Sequence, residues 1–352
     1  MTEHHTTVAV PDTLEEVLTP AWLNSALGAR FPGIEVTAVQ PGPVISRVST
    51  NARFRIECAG GVPAGLSPHL CAKGYFTEVG WQFRHAGWPE ACFYRDVAER
   101  TAVRTLRSVY ADVDMETLHG VVITEDVVEQ GAVFLDALSD YTPEQAAQSL
   151  EQLAQLHATT WGDPAYAAAP WLASRMAGYL ERRGLAEIRQ NFEGPIGAGV
   201  PDAAREAERL YAAYGKLAAI VPSATPWSIV HGDAHVGNVF LDGAGRPSFL
   251  DWQLVQRGPW YLDVGYHLTS ALTVDDRRAN ERDLVRHYLD RLAAAGVDAP
   301  SEDDAWEGIR RGVLHGFYLW AITLKVDPAI TTELLVRLGT AAADHDALAS
   351  VD

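Results

Sequence analysis

Three oxygen-bearing side chains stand close together in the stretch Ile229 to Gln253, IVHGDAHVGNVFLDGAGRPSFLDWQ. Asn238 follows Asp233 by five residues, and Asp251 by 18. Two carboxylates and an amide oxygen are hard donors that suit Mg²⁺, an ion that keeps several waters and shares phosphate oxygens. Phosphoryl transfer needs positioning and charge neutralisation more than covalent help from the protein. A carboxylate at the nucleophile and a metal across a triphosphate meet that need. Asp233 is therefore expected to face the hydroxyl that receives the phosphoryl group, and Asn238 and Asp251 to hold metal.

The elements around these residues must bring them together. Ile229-Val230 and Val239-Phe240-Leu241 are short apolar, strand-like runs. Asp242 to Pro247 is rich in turn formers, and Ser248-Phe249-Leu250 returns to Asp251. A hairpin of this kind carries Asp251 back beside the loop holding Asp233. Taken alone, Asp233 would be a turn aspartate, Asn238 a turn-capping amide and Asp251 a strand-end carboxylate. Together beside apolar strands, where an unpaired carboxylate is costly, they point to a metal. His231 and His235 open a different reading, since His-x-Asp-x-His could ligate Zn²⁺ in a metallohydrolase. No third histidine stands nearby at a convincing spacing, so His231 is expected to be a buried scaffold residue and His235 to line the site. Asp263, further on, reads as a helix N-terminal aspartate or a brace for the site loop.

A second cluster lies in the first third of the chain. Lys73 stands within the apolar strand Leu70 to Phe76 and needs an anionic partner. Phosphate oxygens and a helix carboxylate would serve; Glu90 is the expected carboxylate and Glu99 its rival. Ser46 to Ala52 precedes the strand RFRIEC, and its hydroxyls and amides, Ser49 and Thr50 among them, could cover phosphates with Arg47 adding charge. A plain polar turn fits that spacing equally well.

The chain is long enough, at 352 residues and 47% hydrophobic, for a large core and two lobes. A net charge of −18 argues against nucleic acid or an anionic membrane as the main partner. No apolar run reaches membrane-spanning length and the first residues carry no secretion pattern, so a cytoplasmic location is expected. Three cysteines without zinc or disulfide spacing read as buried free thiols. Residues 1–11 read as a loose tail. Residues 13–27 have helical character, divided at Pro20 with Thr19 as an N-cap. Residues 34–76 alternate at strand length, a helix is expected over 90–106, and Gly120 to Thr124 is a strand. From Thr142, an N-cap followed by Pro143 and Gln145, the chain becomes strongly helical apart from the hairpin. The expected fold class is α+β and bilobal: a small antiparallel sheet lobe over 1–126 and a larger helical lobe over 127–352.

Together these residues resemble the aminoglycoside phosphotransferase and choline kinase superfamily, whose members share the protein-kinase-like fold. The resemblance covers most of the chain and is most specific in His231-Gly232-Asp233-Ala234-His235-Val236-Gly237-Asn238 and Asp251-Trp252-Gln253. Leu18 to Leu23, Ser49 to Phe54, Glu90 to Tyr94, Thr124 to Val127 and Leu153 to Ala158 resemble the ecdysteroid-kinase-like branch and its bacterial relatives. The resemblance implies that Asp233 is the catalytic aspartate and that Asn238 and Asp251 bind Mg²⁺. It also implies that Lys73 contacts the α- and β-phosphates of ATP, or of GTP, braced by Glu90. The backbone from Glu125 to Val127 would be the hinge for the base. Arg47 stands where relatives often have a phosphate-loop glycine, and Trp252 replaces a common phenylalanine.

The acceptor is then a small hydroxylated molecule bound between the hairpin and the C-terminal helices. Trp252, Trp260, Tyr261, Tyr266, Trp306, Phe317, Tyr318 and Trp320 are candidate apolar or stacking contacts. Asp275, Asp276 and Glu307 could pair with amines but read first as solvated helix charges. The alanine- and arginine-rich, lysine-poor composition has an actinobacterial look, for which an antibiotic is the expected acceptor. Alternatives are a choline-type kinase with an aromatic box, a sugar, nucleoside or sterol-type kinase, and a nucleotide-binding module without catalysis.

Overall fold

A computed structural model of the chain describes residues 8–352. The first seven positions of the expected tail lie outside the described residues. Residues 8–11 are not a tail: Val8 and Val10 pack against the apolar core, and the Ala9 carbonyl accepts the Trp22 Nε1–H at 2.8 Å. The chain forms two compact units, one running to Arg100 and resuming over Thr105–Ala132, the other comprising Thr101–Arg104 and Val133–Asp352. Among the described residues, no helix is long and apolar enough to cross a membrane.

The first unit opens with α1 (Leu14–Val17) and α2 (Pro20–Gly28). The Thr19 side chain caps α2 by accepting the Trp22 N–H at 3.2 Å, and Pro20 stands in its first turn, where its missing N–H costs nothing. Five strands follow: β1 (Val36–Ser46), β2 (Thr50–Cys58), β3 (His69–Gly74), β4 (Ser108–Asp114) and β5 (His119–Glu125). They form one antiparallel sheet in the order β1-β2-β3-β5-β4. Its covering layer packs Leu23 and Leu27 of α2 with Phe54, Ile56, Leu70, Val121 and Ile123 of the sheet. Between β3 and β4 lie α3 (Glu78–Trp81), α4 (Gly87–Asp96) and α5 (Ala98–Thr101). The helix expected over 90–106 is corrected in two respects. It starts at Gly87, because Pro89 sits in its first turn, and the helical run ends at Thr101, where Ala102 takes φ 51°. Strand β4 was not anticipated. The cysteines are free, but of the three only Cys92 is fully buried.

The second unit is mainly helical: α6 (Pro143–Thr159), α7 (Met176–Arg182), α8 (Leu185–Glu193), α9 (Ala207–Ile220), α10 (Tyr261–Ala271), α11 (Val274–Ala294), α12 (Glu302–Ala321) and α13 (Pro328–Asp344). Thr142 and Gln145 close a reciprocal capping box on α6. Four further strands, β7 (Ser228–Val230), β8 (Val239–Leu241), β9 (Pro247–Phe249) and β10 (Gln256–Gly258), join β6 (Val133–Phe134) in two small sheets. β8 and β9 are the expected hairpin, with β6 added on its far side; β7 pairs instead with β10. The architecture is α+β, a five-stranded antiparallel sheet unit and a helical unit carrying the hairpin.

Candidate active site

The loop from His231 to Asn238 connects β7 to β8, and several polar atoms of its backbone are held by side chains. Asp263 Oδ2 accepts the His231 N–H at 2.6 Å and Oδ1 the Gly232 N–H at 2.8 Å. His315 Nε2–H donates to the Gly232 carbonyl at 3.1 Å, and His267 Nδ1–H to the Ala234 carbonyl at 2.8 Å. Gly232 takes φ 78°, and a Cβ there would lie 2.3 Å from the Leu254 carbonyl oxygen, so only glycine fits this turn. Asp263 is itself braced by His157 Nε2–H at 3.1 Å, whose Nδ1 accepts the Tyr288 hydroxyl at 2.8 Å. Burial alone would raise the Asp263 carboxyl. The bonds from His157 and Gly232 and the nearby His231 outweigh it and hold the group below the usual carboxylate range.

His231 ties this loop to the hairpin. Its Nδ1 accepts the Asp233 N–H at 3.2 Å, and its Nε2–H donates to the Leu250 carbonyl at 2.9 Å. Both nitrogens are used and the side chain is fully buried, so His231 is scaffold, as the sequence suggests. The zinc reading loses its ligand with it. Among the described residues no group of three His, Cys, Asp or Glu side chains could hold a metal.

The hairpin brings the three oxygen-bearing residues together. β8 and β9 pair Val239 with Phe249, and the Asn238 carbonyl accepts the Leu250 N–H at 3.0 Å, so Asp251 arrives beside Asn238. Asp251 turns the chain in a left-handed conformation, φ 64° and ψ 65°, which aspartate adopts more readily than most residues. Asn238 Nδ2–H donates to the Asp233 carbonyl at 2.8 Å and to Asp233 Oδ2 at 3.1 Å. Those bonds orient the amide and leave its oxygen as a hard donor beside Asp251. An amide oxygen and one carboxylate, with the remaining positions left to water and phosphate, is a set that fits Mg²⁺.

Asp233 has a second partner that sequence reasoning did not identify. Tyr266 Oη–H donates to Asp233 Oδ1 at 3.2 Å and accepts Trp320 Nε1–H at 2.7 Å. Burial holds the Asp233 carboxyl up at about 6; the charge of Asp251 pushes the same way, while His231, Tyr266 and Asn238 pull it back. His235 lies on the other side, its Nε2 3.8 Å from Asp233 Oδ2. Burial keeps its imidazole neutral, lowered to about 4.

Of the aromatic residues expected to line the acceptor site, Tyr266 reaches Asp233 directly and Trp320 reaches it through Tyr266. Trp252 is fully buried and packs its ring 4.4 Å from His231, so it is a structural residue. Trp260 stacks on Tyr288, and Tyr318 on Tyr214, inside the helical core. Trp306 packs on His345. Asp276 is bonded by the helix's own N-cap, Thr273, and Glu307 pairs with Arg310 in the same helix, as solvated helix charges do.

In the first unit, Lys73 Nζ lies 2.7 Å and 3.0 Å from the two carboxylate oxygens of Glu90. Glu90 is almost fully buried, and the rival Glu99 pairs with Arg30 instead. Residues 47–49 form the turn between β1 and β2, where the Ser49 carbonyl accepts the Arg47 N–H at 2.9 Å. Thr50 is buried with its hydroxyl 3.2 Å from Ser46 Oγ, so it is turned into the hairpin. The Glu125 side chain is engaged by Arg107 at 2.7 Å and by the Ser67 N–H at 3.2 Å. The Val127 carbonyl accepts the Gln130 and Ala132 N–H groups, while the Val127 N–H has no acceptor among the described residues.

The profile of the phosphotransferase enzyme family matches residues 94–307. No curated protein matches the chain. Among solved structures, the choline kinase LicA from Streptococcus pneumoniae is similar at 13% identity and a TM-score of 0.50, over 93% of this chain and 99% of that one. An ethanolamine kinase from Plasmodium vivax is similar at 10% identity and a TM-score of 0.50, over 92% of this chain and 85% of that one. At such identities the two structures speak to the fold, which is kinase-like. The family match spans more than half the chain and includes Asp233, Asn238, Asp251 and Asp263. The chain belongs to the phosphotransferase enzyme family.

Proposed function

We propose that the chain transfers the γ-phosphoryl group of ATP, with GTP as an alternative donor, to a hydroxyl of an antibiotic-like small molecule. The observation that carries this reading is the convergence of Asp233, Asn238 and Asp251 on one buttressed hairpin. Asn238 Oδ1 and Asp251 would hold Mg²⁺, which supplies charge neutralisation across the phosphates when bound. Asp233 orients the acceptor hydroxyl and receives its proton. Lys73, held by Glu90, contacts the α- and β-phosphates. The β1–β2 turn, with Ser49 in it, lies over the phosphates, and the backbone from Glu125 to Val127 receives the base. Neither nucleic acid nor membrane is a partner, and the place of action is the cytoplasm.

The test is a mass-spectrometric screen of hydroxylated antibiotics, sugars, nucleosides, sterols and choline with ATP and Mg²⁺. A phosphorylated antibiotic is the expected product. Phosphocholine or a phosphorylated metabolite instead would move the chain to the metabolite-kinase alternative. Binding of MgATP with no product from any class would make it a nucleotide-binding module.

A further inference from the structure

Five histidines surround or belong to the Asp233 loop, and four of them have both ring nitrogens engaged. His157 bonds Tyr288 and Asp263; His231 bonds the Asp233 N–H and the Leu250 carbonyl. His267 bonds the Ala234 carbonyl and Ser149; His315 bonds Tyr214 and the Gly232 carbonyl. All four are fully buried. His235 differs. Its Nδ1 accepts the Gly237 N–H at 3.0 Å, which places the ring proton on Nε2. That Nε2–H has no hydrogen-bond partner among the described residues, and its nearest carboxylate, Asp233 Oδ2, is 3.8 Å away.

A separation of 3.8 Å is too long for a direct hydrogen bond. An oxygen atom seated between the two groups bridges it with two bonds of ordinary length, about 2.8 Å each. Both side chains keep some exposure, 14% for His235 and 17% for Asp233, so such an oxygen has access to both. The imidazole is not free to swing away. Trp320 meets it edge-on at 5.1 Å and Tyr266 at 6.0 Å. Gly237 leaves the room: a Cβ there would lie 2.8 Å from His235 Cε1.

We propose that His235 and Asp233 together clamp the acceptor hydroxyl, His235 Nε2–H donating to its oxygen while Asp233 Oδ2 accepts its proton. This rests on the kinase reading above. The clamp holds the oxygen through two of its bonding directions and leaves a remaining lone pair for the γ-phosphorus. As the new O–P bond forms, the bond from γ-phosphorus to the bridging oxygen breaks, ADP leaves, and the hydroxyl proton passes to Asp233. A neutral donor at this position fixes the oxygen without adding charge beside the phosphates.

The test uses water as the nucleophile in the acceptor's place: MgATP hydrolysis by wild type, His235→Leu and His235→Gln, alongside MgATP dissociation constants. The glutamine amide returns an N–H to the position of Nε2; leucine does not. The expected result is a drop of about 100-fold for leucine, a rate within about fivefold of wild type for glutamine, and unchanged MgATP affinity in both. His235→Phe, which keeps an aromatic ring against Trp320, replaces leucine if that variant melts early. Hydrolysis by the leucine variant within threefold of wild type overturns the proposal. So does equal damage in the leucine and glutamine variants, which would mean that ring packing alone matters. A wild type that binds MgATP and hydrolyses none also counts against the clamp, which should hold water as it holds an alcohol. A wild type that binds no MgATP at all fails the kinase reading instead.

Discussion

The Tyr266 hydroxyl donates to Asp233 Oδ1 while accepting the Trp320 indole N–H, so one carboxylate oxygen of the catalytic candidate is set by a residue 33 positions away. Asn238 sets the other oxygen. A carboxylate held at both oxygens cannot rotate, and its remaining lone pairs face a fixed direction. Removing the Tyr266 hydroxyl with phenylalanine keeps the packed ring but frees Oδ1 and leaves the Trp320 N–H unpaired. The expected result is a kcat lowered by about tenfold with the KM for ATP unchanged, and a loss of about 1–3 kcal/mol in urea unfolding. Steady-state kinetics that show a raised KM and a normal kcat would place Tyr266 outside the catalytic geometry.

Asp263 holds two successive N–H groups of the loop and is itself fully buried. Asp263→Ala leaves both amides and His157 without their acceptor. Each such buried donor costs about 1–3 kcal/mol. Activity is expected to fall by more than about 100-fold together with a lowered thermal midpoint. A larger loss in both measurements than in Tyr266→Phe, for which about tenfold in kcat is expected, separates this brace from that residue.

Lys73 and Glu90 form a largely buried pair in the first unit. Glu90→Gln weakens the hold on the ammonium without removing it. MgATP affinity measured by titration calorimetry is expected to fall about tenfold for Glu90→Gln and further for Lys73→Met. Unchanged affinity in Lys73→Met would remove the lysine from the nucleotide site.

Burial lowers His267 and His315 to about 4 from an ordinary value near 6.5. Both are neutral in the folded chain at pH 7, whereas the unfolded chain takes up protons as pH falls below about 6.5. Their contribution is complete above the unfolded value and is lost as pH falls toward the folded value near 4. Each is expected to remove about 2 kcal/mol of stability between pH 7 and pH 5. Urea unfolding at the two pH values checks it. Equal stability at both would show that these rings are not held neutral.

The chemistry of the hairpin is legible in the sequence because its ligands sit at fixed spacing between short apolar strands. Lys73 is legible because a lysine inside an apolar strand demands a partner. The buttress is not. His267 and Tyr266 on α10 and His315 and Trp320 on α12 are ordinary residues of buried helix faces, and periodicity says only that they are inside. Which carbonyl or carboxylate they meet depends on packing across 33 to 83 residues of chain. Strand β4 escaped although it alternates: Val109 and Val113 are its buried positions, and Asp112 and Asp114 fall in the opposite, polar phase. β10 is three residues long, too short to show a period. Pro89 misled in the opposite direction, since a first-turn proline marks the inside of a helix start as well as its edge.

The most direct measurement is single-turnover transfer from γ-labelled ATP to the acceptor found by the screen, comparing wild type with Asp233→Asn. The substitution keeps the side chain's shape and removes its ability to take a proton. The predicted result is transfer slowed by at least about 1,000-fold with MgATP affinity within about threefold of wild type. Transfer by Asp233→Asn at the wild-type rate would contradict the role assigned to Asp233.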